Sequence, residues 1–219
     1  MTCASRLAAV VVLLTFAMSP AEAQAWKPSD GEQLAFDVYR DGSRFGTHIV
    51  KFKKSGDDLT VTSNVHLNVS FGPITFFDYV MESTEHWKND QLVSMSARTK
   101  SDNTWKPLSV EAVEGGYRIT GAKFKGIVPS LVPSSHWNIA EMSQHAMLEP
   151  ETGVMQPMTV TDIGLEQVKT GQGMIEARHY RMKSQLDADF WYDALGRWVK
   201  TAFVTQGSRI DYVLRAVPR

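Results

Sequence analysis

The stretch from Leu59 to Trp87 constrains the fold more than any other part of the chain. Leu59, Val61, Val65, Leu67, Val69 and Phe71 fall on one face, with Ser63 the exception. Thr60, Thr62, Asn64, His66, Asn68 and Ser70 fall on the other. A period of two marks a half-buried strand. Phe71-Gly72-Pro73 joins it to a second strand whose apolar face carries Phe77, Tyr79, Met81 and Trp87. That face also carries Glu85. A carboxylate on a core-like face is costly unless something compensates for its lost hydration. One reading makes Glu85 the polar anchor of a ligand or an acid/base with a raised pKa. The other has the strand twist outward near its end, leaving Glu85 in water beside His86.

The rest of the chain repeats the strand pattern. Leu34, Phe36 and Val38 alternate up to Asp41-Gly42, a dipeptide suited to a type I′ hairpin because both central residues need positive φ. Gly46 in the return strand points to a bulge or a close backbone approach. Val93, Met95 and Ala97 share a face, as do Leu108, Val110 and Ala112, and turn signals around Ser101 to Asn103 and at Glu114-Gly115-Gly116 separate these runs. Helical periodicity is absent up to Phe124.

From Lys125 to Ser135 the rhythm breaks, with Pro129 and Pro133 marking a loop that crosses the structure. Asn138 has the position of a helix N-cap, with Glu141 at capping-box spacing. Ile139, Met142 and Ala146 form one helical stripe that Pro150 and Gly153 end. The pattern predicts one short helix near 139–148. Strands then resume to the C-terminus, with the face of Met174 to Lys183 ambiguous and Asp193-Ala194-Leu195-Gly196 forming a hairpin turn. The sequence predicts an all-β domain of about 10–11 strands. So many strands in one antiparallel meander must curl or close. A strongly curved sheet or incomplete barrel, with the helix covering its opening, fits best; a two-sheet sandwich is the alternative.

Residues 1 to about 23 have the form of a secretory signal peptide: Arg6, an apolar run from Leu7 to Met18, and the small-x-small site Ala21-Glu22-Ala23. The run is shorter than the ~20 residues that cross a bilayer, and no later stretch qualifies. Residues 24–219 are then a single exported domain. The formal charge is -1 and gives no electrostatic case for binding nucleic acid. The one cysteine, Cys3, lies in the signal, so disulfides and thiolate chemistry are excluded from the mature chain.

Ser134-Ser135-His136-Trp137-Asn138 places a serine beside a histidine. Neighbours on an extended chain point opposite ways, and no G-x-S-x-G elbow exists; an ordered loop with Trp137 docked on the core explains the segment as well. The six histidines have no zinc-motif spacing, and no metal or cofactor is expected. Trp191-Tyr192-Asp193-Ala194-Leu195-Gly196-Arg197-Trp198 reads as a tight hairpin flanked by aromatics, which also suit a cavity mouth.

Phe36-Asp37-Val38-Tyr39-Arg40-Asp41-Gly42 with Phe45-Gly46-Thr47-His48 resembles the opening of an uncharacterised family of exported bacterial proteins, known only as a domain of unknown function. Glu85-His86-Trp87, Ser135-His136-Trp137-Asn138 and Trp191-Tyr192-Asp193 with Gly196-Arg197 are similar to its later landmarks. More distantly, Gly42, Gly46 and the late hairpin resemble the curved half-barrel of lipoprotein-localisation carriers. That resemblance implies an antiparallel sheet around a hydrophobic cavity and residence in a Gram-negative periplasm. It transfers no catalytic residue.

Three functions follow as expectations. The first is a periplasmic binding or carrier protein for a lipid or other hydrophobic ligand, its site drawn from Glu85, Trp87, Tyr79, Met81, His136, Trp137 and Trp191. Eight methionines beyond the signal suit an adaptable lining. The second is an envelope structural or interaction module with a packed core and an envelope protein as partner. The third is a hydrolase or isomerase using Glu85 and a histidine.

Overall fold

The computed structural model describes residues 25–71, 74–101 and 104–217, with the side chains of 69–77 left out. The signal-like segment, Gly72-Pro73 and the tip at 102–103 therefore lie outside the described residues, as do the inward or outward positions of Val69, Phe71 and Phe77.

Eight strands run first as a meander: β1 (Gln33–Arg40), β2 (Ser43–Ser55), β3 (Asp58–Phe71), β4 (Ile74–Lys88), β5 (Gln91–Ser101), β6 (Thr104–Val113), β7 (Gly116–Thr120) and β8 (Lys125–Val128). A crossing segment follows, with the ribbon β9 (Ala146–Leu148) and β10 (Met155–Pro157). A second meander consists of β11 (Thr159–Thr170), β12 (Gly173–Lys183), β13 (Ala188–Tyr192), β14 (Trp198–Thr205) and β15 (Ser208–Leu214). β15 pairs antiparallel with β1, which fuses both meanders into one thirteen-stranded sheet ordered β11 to β15, then β1 to β8.

Laid flat, thirteen strands would span roughly 60 Å at the usual inter-strand spacing. The sheet instead curls into an unclosed barrel-like wrap around a shared core. Ile119 of β7, Phe36 of β1 and Met182 of β12 belong to the same buried cluster. The crossing segment runs through the concavity. Trp137 packs edge-on against Phe52 of β2 and Trp87 of β4, with ring centroids 5.5 Å apart in both pairs. His136 meets Phe190 of β13 and Trp198 of β14.

The helix predicted at 139–148 is corrected to a single 3-10 turn, Ile139–Ser143. Asn138 does cap it, its side chain accepting from the Ala140 N–H at 3.0 Å. Glu141, however, does not close a capping box; it turns its carboxylate to His136. The Gln144 N–H then bonds the Glu141 carbonyl, the His145 carbonyl accepts from Met158, and Ala146–Leu148 pairs with β10. Ladder bonds take the backbone groups that a longer helix would have used. Ile139 and Met142 still face the core.

The β1–β2 turn has the I′ geometry expected of Asp-Gly, with φ of 48° at Asp41 and 81° at Gly42. Gly46 sits at a register shift opposite Val38 and Leu67. A Cβ there would stand 2.3 Å from the His66 carbonyl oxygen and 2.9 Å from the Leu67 Cα. Those are backbone atoms, so relief requires β2 and β3 to separate. Gly46→Ala is expected to cost at least about 2 kcal/mol, read by urea denaturation.

Candidate ligand-binding site

The inward face of β4 carries Tyr79, Met81, Ser83, Glu85 and Trp87, following the strand's period of two. Glu85 is fully buried. Its Oε2 accepts from the indole N–H groups of Trp87 at 2.8 Å and Trp137 at 3.0 Å. The Ser135 hydroxyl faces the carboxyl closely enough to favour its charged form, but without the alignment of a formed bond. Oε1 and the Ser135 Oγ are therefore both buried without a partner. Burial pushes the Glu85 pKa up against the three nearby donors, and the neighbouring Glu141 adds to the rise. A proton on Oε1 would remove the charge that burial disfavours.

Because the folded state holds that proton more tightly than the unfolded chain does, Glu85 disfavours folding once pH rises above the unfolded value near 4.5. Gln at this position keeps an acceptor for the two indoles and carries no charge. The stability gain of Glu85→Gln over wild type is expected to be smallest near pH 4 and to grow as pH rises toward 8. Thermal melts across that range measure it; a pH-independent difference would mean that Glu85 titrates normally.

The crossing segment is held over this carboxyl by its own network. His136 has φ of 63°, a left-handed conformation uncommon for a residue with a side chain. Its N–H donates to Glu141 Oε2 at 3.1 Å, its Nδ1 lies 3.0 Å from the same oxygen, and its carbonyl accepts from the Tyr192 hydroxyl at 2.9 Å. The strained residue is thus fixed from both sides.

Above Glu85, toward the rim that carries the Asp41-Gly42 and Gln206-Gly207 turns, the core is not filled. A chamber of about 260 Å³ lies between Val65, Tyr79 and Met81 on one wall and Ala188, Phe190 and Trp198 on the other, with His48 and His136 at its edge. A second chamber of about 310 Å³ continues it to the rim, lined by Phe45, Leu67 and Ile210 and ending at Arg40, Gln206 and Ser208. Tyr79, Phe203 and Tyr212 line both, so the chambers meet at these three rings. At the opposite rim a cleft of about 500 Å³ carries Lys27, Lys54, Asp57 and Asp90 and is backed by Trp87 and Trp137. Glu85 lines none of the three.

Burial keeps three polar groups of the chambers, His48, Tyr79 and Tyr212, in their neutral forms. His48 is buried and its Nε2 lies 2.6 Å from the Ser63 hydroxyl. Burial, reinforced by the charge of His136, pushes its pKa down to about 3. So weak a base cannot take the serine proton near neutral pH, and the pair is a structural hydrogen bond. Burial likewise raises Tyr79 to about 12 and Tyr212 further. Among the described residues, no three potential metal ligands converge, and no helix is long and apolar enough to cross a membrane.

Of the residues singled out from the sequence, Tyr79, Met81 and His136 line the inner chamber, Trp87 and Trp137 back the cleft at the opposite rim, and Glu85 lines neither. Trp191 is elsewhere. It stacks on His179 at 4.5 Å on the outward face of β13, donates to Glu166 and lies under the Lys200 ammonium at 4.6 Å. The sequence reading missed Arg40, His48, Phe203 and Tyr212, and named Trp198 only as a flank of the hairpin whose aromatics suit a cavity mouth. Trp198 faces inward because β13 and β14 shift register, leaving Val199 as the extra residue between the pairs Tyr192–Trp198 and Trp191–Lys200.

Residues 36–215 match the family model of a domain of unknown function, DUF6134. The chain belongs to this DUF6134 family. No curated protein matches it. Among solved structures it is similar to a β-barrel-like protein of domain of unknown function DUF1849 from Brucella abortus. The TM-score is 0.58 at 11% identity, over 83% of this chain and 94% of that one. At that identity the likeness concerns the fold of the DUF6134 chain alone.

Proposed function

We propose that this DUF6134 protein is an exported binding or carrier protein whose interior takes the apolar part of a lipid or similar ligand. The observation that carries the reading is the pair of apolar chambers meeting at Tyr79, Phe203 and Tyr212. Ligand sites run from roughly 300 to 1,000 Å³ and are mostly apolar with a few placed polar groups, and the joined chambers fall in that class. Well-packed cores of monomeric domains leave few voids larger than a water molecule. The form of residues 1–23 supports export, with the periplasm as the compartment. An enzyme using Glu85 and a histidine finds less support, because Glu85 bonds two indoles while His136 faces Glu141 and His48 faces Ser63.

The test is titration with the neutral fluorescent probe N-phenyl-1-naphthylamine. Saturable binding at one probe per chain is the expected result. Fluorescence no greater than that of a packed control protein would overturn the reading.

A further inference from the structure

Arg40 stands apart from the other arginines. Every other arginine among the described residues reaches a carboxylate. Arg40 has no such ion pair among the described residues. Its Nε donates to the Ser208 hydroxyl at 2.9 Å, which sets the direction of the guanidinium. The nearest acid in sequence, Asp41, lies close enough for its charge to interact with that of Arg40 but makes no ion pair with it, and its Oδ1 accepts the Arg209 N–H at 2.8 Å. Arg40 is half-buried at the end of β1 and lines the rim chamber, where it is the one residue with a permanent charge in either chamber. Elsewhere in the molecule the chain supplies its arginines with counter-ions. At the mouth of an apolar chamber it leaves one without a contact ion pair among the described residues.

The two chambers also have an order. Phe45, Leu67 and Ile210 lie nearer the rim on their strands than His48, Val65 and Trp198, so the space runs inward from Arg40 toward Trp198. A head held at Arg40 would send a tail past Tyr79, Phe203 and Tyr212 into the inner chamber, whose lining is mostly apolar. A guanidinium suits a carboxylate or phosphate because its planar fork donates two parallel bonds.

Resting on the chamber reading above, we propose that Arg40 is a headgroup anchor and that the ligand is a single-chain amphiphile with an anionic head. Palmitate and 1-palmitoyl lysophosphatidate carry the two candidate heads, and hexadecanol is their uncharged counterpart. Each is used to displace N-phenyl-1-naphthylamine from the full domain. At least one anionic amphiphile is expected to bind about tenfold or more tighter than hexadecanol, the scale of a charge-assisted hydrogen bond. Preference for palmitate assigns a carboxylate, and preference for lysophosphatidate a phosphate. Arg40→Gln is expected to abolish the preference while probe and hexadecanol bind as before; Arg40→Lys should retain part of it. Retained probe binding shows that the variant is folded. Equal displacement by all three compounds from wild type, or an equal weakening of all three by Arg40→Gln, would overturn the anchor and leave the chamber standing. Failure of wild type to bind the probe at all would be failure of the chamber, and the anchor would fall with it.

Discussion

Trp137→Ala is expected to destabilise the protein by about 3–5 kcal/mol, the range for truncating a large buried aromatic. Trp137 is nearly inaccessible to solvent and wedges the crossing segment between Phe52 and Trp87. Removing it loses that packing and takes one of two donors from a buried carboxyl. Trp137→Phe separates the contributions. It keeps an aromatic ring but loses the N–H, and should cost only about 1 kcal/mol, the net value of an ordinary hydrogen bond. For a domain of this size the Ala variant should melt about 10 °C lower or more. Urea denaturation of the three proteins measures the difference. A cost below that of Trp137→Phe would mean that the segment is not docked through its indole.

Ala188→Trp should act in the opposite sense, removing binding while sparing the fold. Ala188 lies on β13 opposite Phe203, on the chamber wall. In a packed core an added indole would force the strands apart and cost at least 1–3 kcal/mol, by the usual penalty of about that size for overpacking. Here it has empty space to enter and new contacts to make. Stability is expected to be unchanged or higher, and affinity for N-phenyl-1-naphthylamine to fall by about a hundredfold or more, as expected when the pocket itself is occupied. A large loss of stability together with unchanged probe binding would place the ligand somewhere other than the inner chamber.

Glu85 shows how far the sequence reaches. Its place on a core face was visible from alternation alone, because the period of a strand fixes which residues share a side. Burial excludes the solvated reading that the pattern left open, and burial depends on Trp137, which lies far along the chain. The same limit explains Trp191. β13 is covered on both faces, so Trp191 and Tyr192 are both buried and composition cannot tell which one looks inward. The ambiguous face of Met174 to Lys183 has the same origin: Ala177 and Met182 are both buried, on opposite sides of β12. Arg40 gave no signal because its place at the chamber mouth, bonded to Ser208 and outside any ion pair, is a property of the assembled sheet. Its place beside Ser208 depends on the pairing of β1 with β15, the first strand with the last. The helical stripe of Ile139, Met142 and Ala146 was real as a burial pattern, but local ladder bonds took its backbone.

The most direct measurement is mass spectrometry of an organic extract of the natively purified protein, with Ala188→Trp prepared in parallel. Wild type is expected to yield an anionic single-chain amphiphile in near-stoichiometric amount, and the variant to be depleted of it. An extract of wild type without any such compound, or equal amounts from both proteins, would contradict a ligand in the chambers between Arg40 and Trp198.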